Sequence, residues 1–251
     1  MNNYILEVKN LKVSYLNRKR SFFGKAQKVE VLHGVDLSIK EGEVLGLVGE
    51  SGCGKSTLAK AVLGLIPYEG EVFHHSNRPQ MVFQDPFSSL NPSKTIGWLL
   101  EEPLKIKGER DTRVRKEKAV AMLERVGLSE EYYDRFPRQL SGGQRQRVCI
   151  GVALMLEPKL LIADEPVSAL DVTIQAQVLD LLLKLKEEMG LSILFISHDL
   201  RVVYRMCERV CIMQNGMIAE QGNREDIYFN PQHEYTKVLL QSAGINEHSN
   251  P

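Results

Sequence analysis

The residues with the clearest chemical potential lie in two short stretches. Gly49-Glu50-Ser51-Gly52-Cys53-Gly54-Lys55-Ser56-Thr57 follows the apolar run Val44–Val48 and precedes a helical pattern. The spacing is G-x-x-x-x-G-K-[ST], which suits a phosphate cradle. Glycines let backbone N–H groups converge on an anion without Cβ clashes, and the helix beginning near Lys55 adds partial positive charge. Lys55 can reach β- and γ-phosphates, and Ser56 can offer a hydroxyl to Mg²⁺. The second stretch is Leu160-Leu161-Ile162-Ala163-Asp164-Glu165. Four apolar residues bury a strand, and Asp164 emerges at its carboxyl end, where open α/β sheets bind ligands. Asp164 can hold Mg²⁺ through water, and Glu165 can orient or deprotonate an attacking water. In isolation, such an acidic pair is often only a solvated turn.

These two stretches indicate a P-loop NTPase and no narrower class, since GTPases, helicases and kinases share them. Leu140-Ser141-Gly142-Gly143-Gln144 is a third feature: a serine and two glycines that open the helix Arg145–Leu156, a second anion-binding helix start. Ser141 also reads as an ordinary N-cap, and both roles can coexist.

The positioning elements follow from pattern. Residues 4–15 alternate as a strand, residues 16–30 form a polar, basic loop or hairpin extension, and Val31–Ile39 is a second strand. The basic loop reads as solvated, with lipid headgroups as the other possible contact. Val44–Val48 suits a buried parallel strand, Ser56–Leu65 a helix, and 67–79 a polar connection before a strand at Gln80–Phe83. From Ile96 to Leu156 the spacing is helical, through Trp98, Leu99, Leu104, Val120, Met122, Leu123, Val126 and Leu128. Val172–Met189 is a helix with an apolar face at Val178, Leu179, Leu182, Leu183 and Leu185, closed by Gly190. Strands follow at Ser192–Ile196 and Val210–Met213, and the last ten or so residues read as frayed. The expected class is α/β: a P-loop NTPase (RecA-like) core with a mainly parallel sheet, antiparallel β elements near the N-terminus and an inserted α-helical subdomain. One domain spans 1–251, with its core at about 1–85 and 157–225, the helical subdomain at about 86–156 and a tail at about 226–251.

Composition sets outer limits. The 251 residues suffice for a sizeable core, and 43% hydrophobic with 25% charged residues is ordinary for a globular chain. Thirty-two basic residues balance thirty-two acidic ones, which argues against a dedicated nucleic-acid binder. No apolar run approaches the roughly 20 residues that span a bilayer, and the start lacks a signal-peptide pattern, so a cytoplasmic location is expected. Cys53, Cys149, Cys207 and Cys211 match no zinc spacing and read as reduced, mostly buried thiols.

The pentapeptide Leu140–Gln144, upstream of Asp164, resembles the signature of the ABC ATPases without a mismatch, and the resemblance covers Leu6 to about Leu240. It implies that the signature residues Ser141, Gly142, Gly143 and Gln144 serve the nucleotide of an opposite subunit. It also implies that Gln84 senses Mg²⁺ and the attacking water, and that Asp171, in Ser168-Ala169-Leu170-Asp171, lies in the dimer-seam loop. His198 is then the switch histidine that contacts the γ-phosphate, although alone it would read as structural. Tyr15 is the aromatic that stacks on adenine, with Phe22, Phe23 or simple core packing as alternatives. The implied ligands are ATP and Mg²⁺, the latter held by Ser56, Gln84 and Asp164.

Three features resemble the oligopeptide/dipeptide/nickel importer branch: the loop between Tyr15 and Val31, Gln84-Asp85-Pro86-Phe87-Ser88-Ser89-Leu90-Asn91-Pro92, and the tail Tyr228–Leu240. Within that branch the chain resembles the F-type subunit, called E in nickel systems. The resemblance implies a second ATPase subunit as partner, two transmembrane permease subunits, a solute-binding protein indirectly, and a peripheral place on the cytoplasmic membrane face. A permease helix is expected at an exposed Phe87–Leu90 surface. The short 67–79 segment and the lack of a cysteine-bearing extension turn the expected cargo toward nickel or another metal chelate, with di-/oligopeptides as the alternative. A soluble ABC ATPase acting on DNA or ribosomes is the rival class.

Overall fold

The computed structural model describes residues 3–17, 27–76, 79–85 and 89–245. The basic part of the expected loop, together with Phe22, Phe23, Pro86, Phe87 and Ser88, lies outside them. The chain forms two compact units, residues 1–77 with 192–251, and residues 78–191.

In the first unit, β1 (Tyr4–Asn17) pairs antiparallel with β2 (Gln27–Lys40) and, on its other side, with β4 (Glu69–His74). Alternation explains β1 in two stretches, with Leu6 and Val8 and then Leu11 and Val13 buried, and the pairing shifts register between Val8 and Leu11. The β1–β2 register continues to Asn17 and Gln27, so both strands run further toward the loop than sequence suggested. Strand β4 corrects the reading of 67–79 as a mere connection. Its residues are nearly all exposed, as on an edge strand that offers little apolar pattern to read.

The same unit holds β3 (Val44–Val48), flanked in parallel by β7 (Ser192–Ser197) and β8 (Arg209–Gln214), with β9 (Met217–Asn223) antiparallel to β8. Strands β3 and β7 are buried along their whole length, as continuous apolar runs between covered faces must be. Gly46 is needed in β3 because a Cβ there would sit 2.8 Å from Val203 Cγ1 of α6 (Leu200–Met206, the helix after β7). At the start of β3, the buried Glu43 pairs with Arg209 at 3.0 Å and accepts from the Lys40 amide at 2.7 Å. Helix α1 (Lys55–Val62) starts one residue before its expected position and stops three before Leu65, which is exposed. The unit ends in α7 (Arg224–Phe229) and α8 (Glu234–Ser242).

In the second unit, β5 (Gln80–Val82) and β6 (Leu160–Asp164) pair in parallel. Between them come α2 (Ile96–Lys107), α3 (Thr112–Arg125) and α4 (Gly142–Leu154), the helical stretch the sequence indicated. Thr95 and Asp111 cap α2 and α3 through their side-chain oxygens. Helix α5 (Val172–Met189) has the expected bounds, and Gly190 closes it at φ 62°. Its inward face differs by one position, since Leu181 is buried and Leu183 only half-buried. Each fully buried leucine contributes about 2 kcal/mol of transfer free energy.

All four cysteines are buried, and none is disulfide-bonded. Among the described residues, no helix is long and apolar enough to cross a membrane.

Candidate active site

The phosphate loop belongs to the first unit. It leaves β3 at Gly49, where a Cβ would stand 2.2 Å from the Met213 carbonyl oxygen of β8, so no larger residue fits without moving backbone. The loop closes on itself through the Cys53 amide, which donates to the Glu50 carbonyl over 3.3 Å, and Gly54 enters α1 at φ 116°. Lys55 is buried, and its ammonium donates to the carbonyls of Gly49 (2.7 Å) and Glu50 (3.0 Å). The lysine is thereby folded over the loop it serves, with its charge satisfied by carbonyl dipoles. Ser51, Gly52 and Ser56 face solvent, and Thr57 is half-buried.

Two contacts brace the loop from outside, and sequence reading found neither. The Gly216 amide donates to the Cys53 carbonyl over 2.9 Å, while the Gly216 carbonyl accepts from the His33 amide over 3.0 Å. Gly216 follows Asn215, both at positive φ, in the tight turn between β8 and β9. Asn-Gly between two strand-like runs is a hairpin signal that could have located this turn. At the other end of the loop, the Glu50 amide donates to the Tyr235 hydroxyl over 3.3 Å.

His198 follows β7 and is exposed, one residue before Asp199, whose carboxylate caps α6. Tyr15 lies near the end of β1 opposite Val29 and is 42% exposed, so its ring is not core packing.

The second unit carries the acidic pair and the signature. Strand β6 is buried throughout and delivers Asp164, 6% exposed, at its carboxyl end. Glu165 then turns out of the strand at φ 48°, a left-handed conformation that costs a non-glycine residue roughly 1–2 kcal/mol. Gln84 Nε2 donates to Glu165 Oε2 over 2.9 Å, and the Ser168 amide and hydroxyl both donate to the Glu165 carbonyl. A strained backbone held by several partners is the pattern of a functional position.

Ser141 caps α4: its hydroxyl accepts from the Gln144 amide, and Gln144 Oε1 accepts in return from the Ser141 amide. Gln144 Nε2 also donates to the Tyr132 hydroxyl over 2.9 Å. Gly143 sits where a Cβ would be 2.4 Å from Ile174 Cγ2, so α4 and α5 meet there at close range. Asp171 caps α5 by accepting from the Ile174 amide over 3.0 Å. Leu90, expected on an exposed surface, is buried. Beside it a cleft of about 150 Å³ is lined by Met81, Phe83, Leu90, Pro103, Cys149 and Val152.

The donors expected for Mg²⁺ are a hydroxyl (Ser56), an amide carbonyl (Gln84) and a carboxylate (Asp164). All are hard oxygen ligands of the kind that ion takes, and the buried position of Asp164 favours a charged partner.

A family model described as "ABC transporter" matches residues 32–168, more than half of the chain. The chain is 46% identical over 246 residues to the dipeptide transport ATP-binding protein DppF of Haemophilus influenzae, covering 91% of this chain and 75% of that protein. It is 44% identical over 258 residues to the oligopeptide transport ATP-binding protein AppF of Bacillus subtilis, covering 96% and 78%. Among solved structures, it resembles the dimeric post-hydrolysis state of the ATP-binding cassette MJ0796 bound to ADP and Pi. That match has a TM-score of 0.75 and 30% identity, and covers 87% of this chain and 98% of that one. The cbiO1 structure from Clostridium perfringens, part of the ABC transporter complex cbiONQ, matches with a TM-score of 0.76 at 27% identity over 97% and 96%. The chain belongs to the ABC transporter family and is one of its ATP-binding cassettes.

Proposed function

We propose that this cassette binds and hydrolyses ATP to power an importer of dipeptides or oligopeptides through partner permease subunits. One observation carries the catalytic part: Glu165 emerges from a buried strand beside Asp164, in a strained conformation, with its carboxylate held by Gln84. The names of DppF and AppF support the peptide cargo. Nickel or another metal chelate loses part of its support, because Glu69–His74 forms a strand and that segment no longer argues about cargo.

Lys55 releases its loop carbonyls and turns to the β- and γ-phosphates as ATP enters. Tyr15 stacks on adenine, using its exposed ring. Mg²⁺, held by Ser56, Gln84 and Asp164, supplies neutralisation of phosphate charge when bound. Glu165 accepts a proton from the attacking water, and Gln84 fixes the direction of the carboxylate. His198 and the amides at Ser141–Gly143 of a facing cassette stabilise charge developing on the γ-phosphate.

The structural likeness to a dimeric cassette supports pairing, either with a second, different ATPase subunit or with a second copy. The apolar cleft around Phe83 and Leu90 supports docking against a permease subunit, and with it a place at the cytoplasmic face of the membrane. A solute-binding protein is then an indirect partner. The whole chain acts as one nucleotide-binding domain. A role on DNA or ribosomes has less support, since the named relatives are transport proteins.

Co-purification with two multispanning membrane proteins, and ATP hydrolysis by that assembly, test the reading. Hydrolysis without any membrane partner, together with binding to DNA or ribosomes, would sink the transport part.

A further inference from the structure

Helix α8 lies at the far end of the chain from the phosphate loop, yet the Tyr235 hydroxyl accepts the Glu50 amide across a separation of 185 residues. The residues around Tyr235 leave it little freedom. The Glu220 carboxylate on β9 accepts from the amides of Gln232 (2.8 Å) and His233 (3.1 Å), which fastens the segment that leads into α8. His233 Nδ1 then accepts from the Tyr235 amide over 3.1 Å and caps the helix. Thr236 and Leu240 bury the inner face of α8, and the Tyr235 ring is half-buried. A tyrosine has few rotatable bonds, so these anchors fix where its hydroxyl stands.

Glu50 is the second residue of the loop, where the chain leaves β3 and begins to wrap. Gly216 already holds the far limb through Cys53. We propose that Tyr235 is a positioning residue for the phosphate loop, holding its entry limb through the Glu50 amide and so making ATP affinity depend on the C-terminal helix. This rests on the reading that the loop takes the phosphates of ATP. Without the hydroxyl the entry limb has one constraint fewer, and ordering it around phosphates costs more conformational entropy. The cost falls on binding and leaves chemistry alone, because Tyr235 touches no reacting group.

The test compares the full chain with Tyr235→Phe, which keeps the ring and removes only the hydroxyl. Binding of the magnesium complex of a non-hydrolysable ATP analogue is measured by calorimetry, alongside hydrogen exchange at the Glu50 amide and the unfolding temperature. The expected result is about a threefold to tenfold weaker Kd, the range one net hydrogen bond covers. Exchange at Glu50 should quicken by a similar factor, with a Tm change below about 2 °C. In the permease-bound enzyme KM should rise in proportion, with kcat unchanged. Unchanged affinity and exchange in Tyr235→Phe, beside a wild-type chain that binds normally, would overturn the proposal and leave the ATPase reading intact. A fall in affinity only in step with a large loss of Tm would overturn it too, by reducing Tyr235 to a packing role. Failure of the wild-type chain to bind the analogue removes the phosphate-loop reading, and the proposal with it.

Discussion

Gln84 and Glu165 are joined side chain to side chain, the amide nitrogen of one 2.9 Å from a carboxylate oxygen of the other. In the proposed mechanism this bond aims Glu165 as a general base without neutralising it, since an amide carries no charge. Glutamine at 165 could still accept from Gln84 through its own carbonyl oxygen, but it could not take a proton. Glu165→Gln is therefore expected to bind ATP normally and to hydrolyse it about 10²- to 10⁴-fold more slowly in single turnover with its partners. A near wild-type rate would remove Glu165 from the role of base.

The cap that Ser141 makes is separable from its proposed role at the nucleotide of a facing cassette. Ser141→Ala should lose about 1 kcal/mol of stability through the broken capping box, seen in chemical denaturation. Ser141→Asp keeps a side-chain oxygen that caps equally well, so stability should stay near wild type. Its charge would nevertheless oppose the γ-phosphate of a facing cassette, so ATP-driven pairing, followed by size-exclusion chromatography, should fail. Normal pairing of Ser141→Asp would leave Ser141 as a cap alone.

Gly216 and Gly64 share a left-handed backbone but differ in surroundings. An added Cβ at Gly216 would lie 2.1 Å from the Val31 carbonyl oxygen, whereas at Gly64 nothing lies within 4 Å. Gly64→Ala should cost about 1 kcal/mol, the backbone term alone. Gly216→Ala should cost about 3 kcal/mol or more, because a strand must also shift. Equal costs in urea denaturation would count against the tight Gly216 contact.

Glu220 gives the tail a pH dependence. Partial burial pushes its pKa up, but the amides of Gln232 and His233 and its other hydrogen-bonding and charge contacts outweigh that and leave it below the ordinary carboxylate range. A native pKa below the unfolded one means that the ionised group stabilises the fold above the unfolded value. That contribution disappears as pH falls through the native value. As pH falls from the unfolded carboxylate value of 4.5 through the lower native one, the wild-type Tm should therefore fall more than that of Glu220→Gln. Parallel curves would show that Glu220 does not anchor the segment.

Much of this architecture was legible because period and punctuation agreed. Helix α5 has its expected ends since an apolar stripe at helical spacing stops at Gly190, and β3 and β6 are unbroken apolar runs. Strands β4 and β9 were not, because β4 is exposed over most of its length, no residue of β9 is fully buried, and both pair through backbone bonds that leave no hydropathy trace. The same limit governed the site. Gly49–Thr57 and Leu160–Glu165 are contiguous and can be read as words. The braces at Gly216 and Tyr235 join residues that only folding brings together. Asp171 is a further case: its place in a seam loop was implied by resemblance alone, and what the fold adds is a local bond, that of a helix cap.

The burial of all four cysteines makes the native thiols poor reporters and good silence. Desolvation pushes Cys149 and Cys211 up to about 12 and raises Cys53 and Cys207 as well, so little thiolate exists at neutral pH to meet a maleimide. A single cysteine introduced on an exposed helix position such as Lys118 could then carry a fluorophore or spin label without first stripping the chain of its own four. Distances between two such tags would record the approach and parting of paired cassettes through each catalytic cycle.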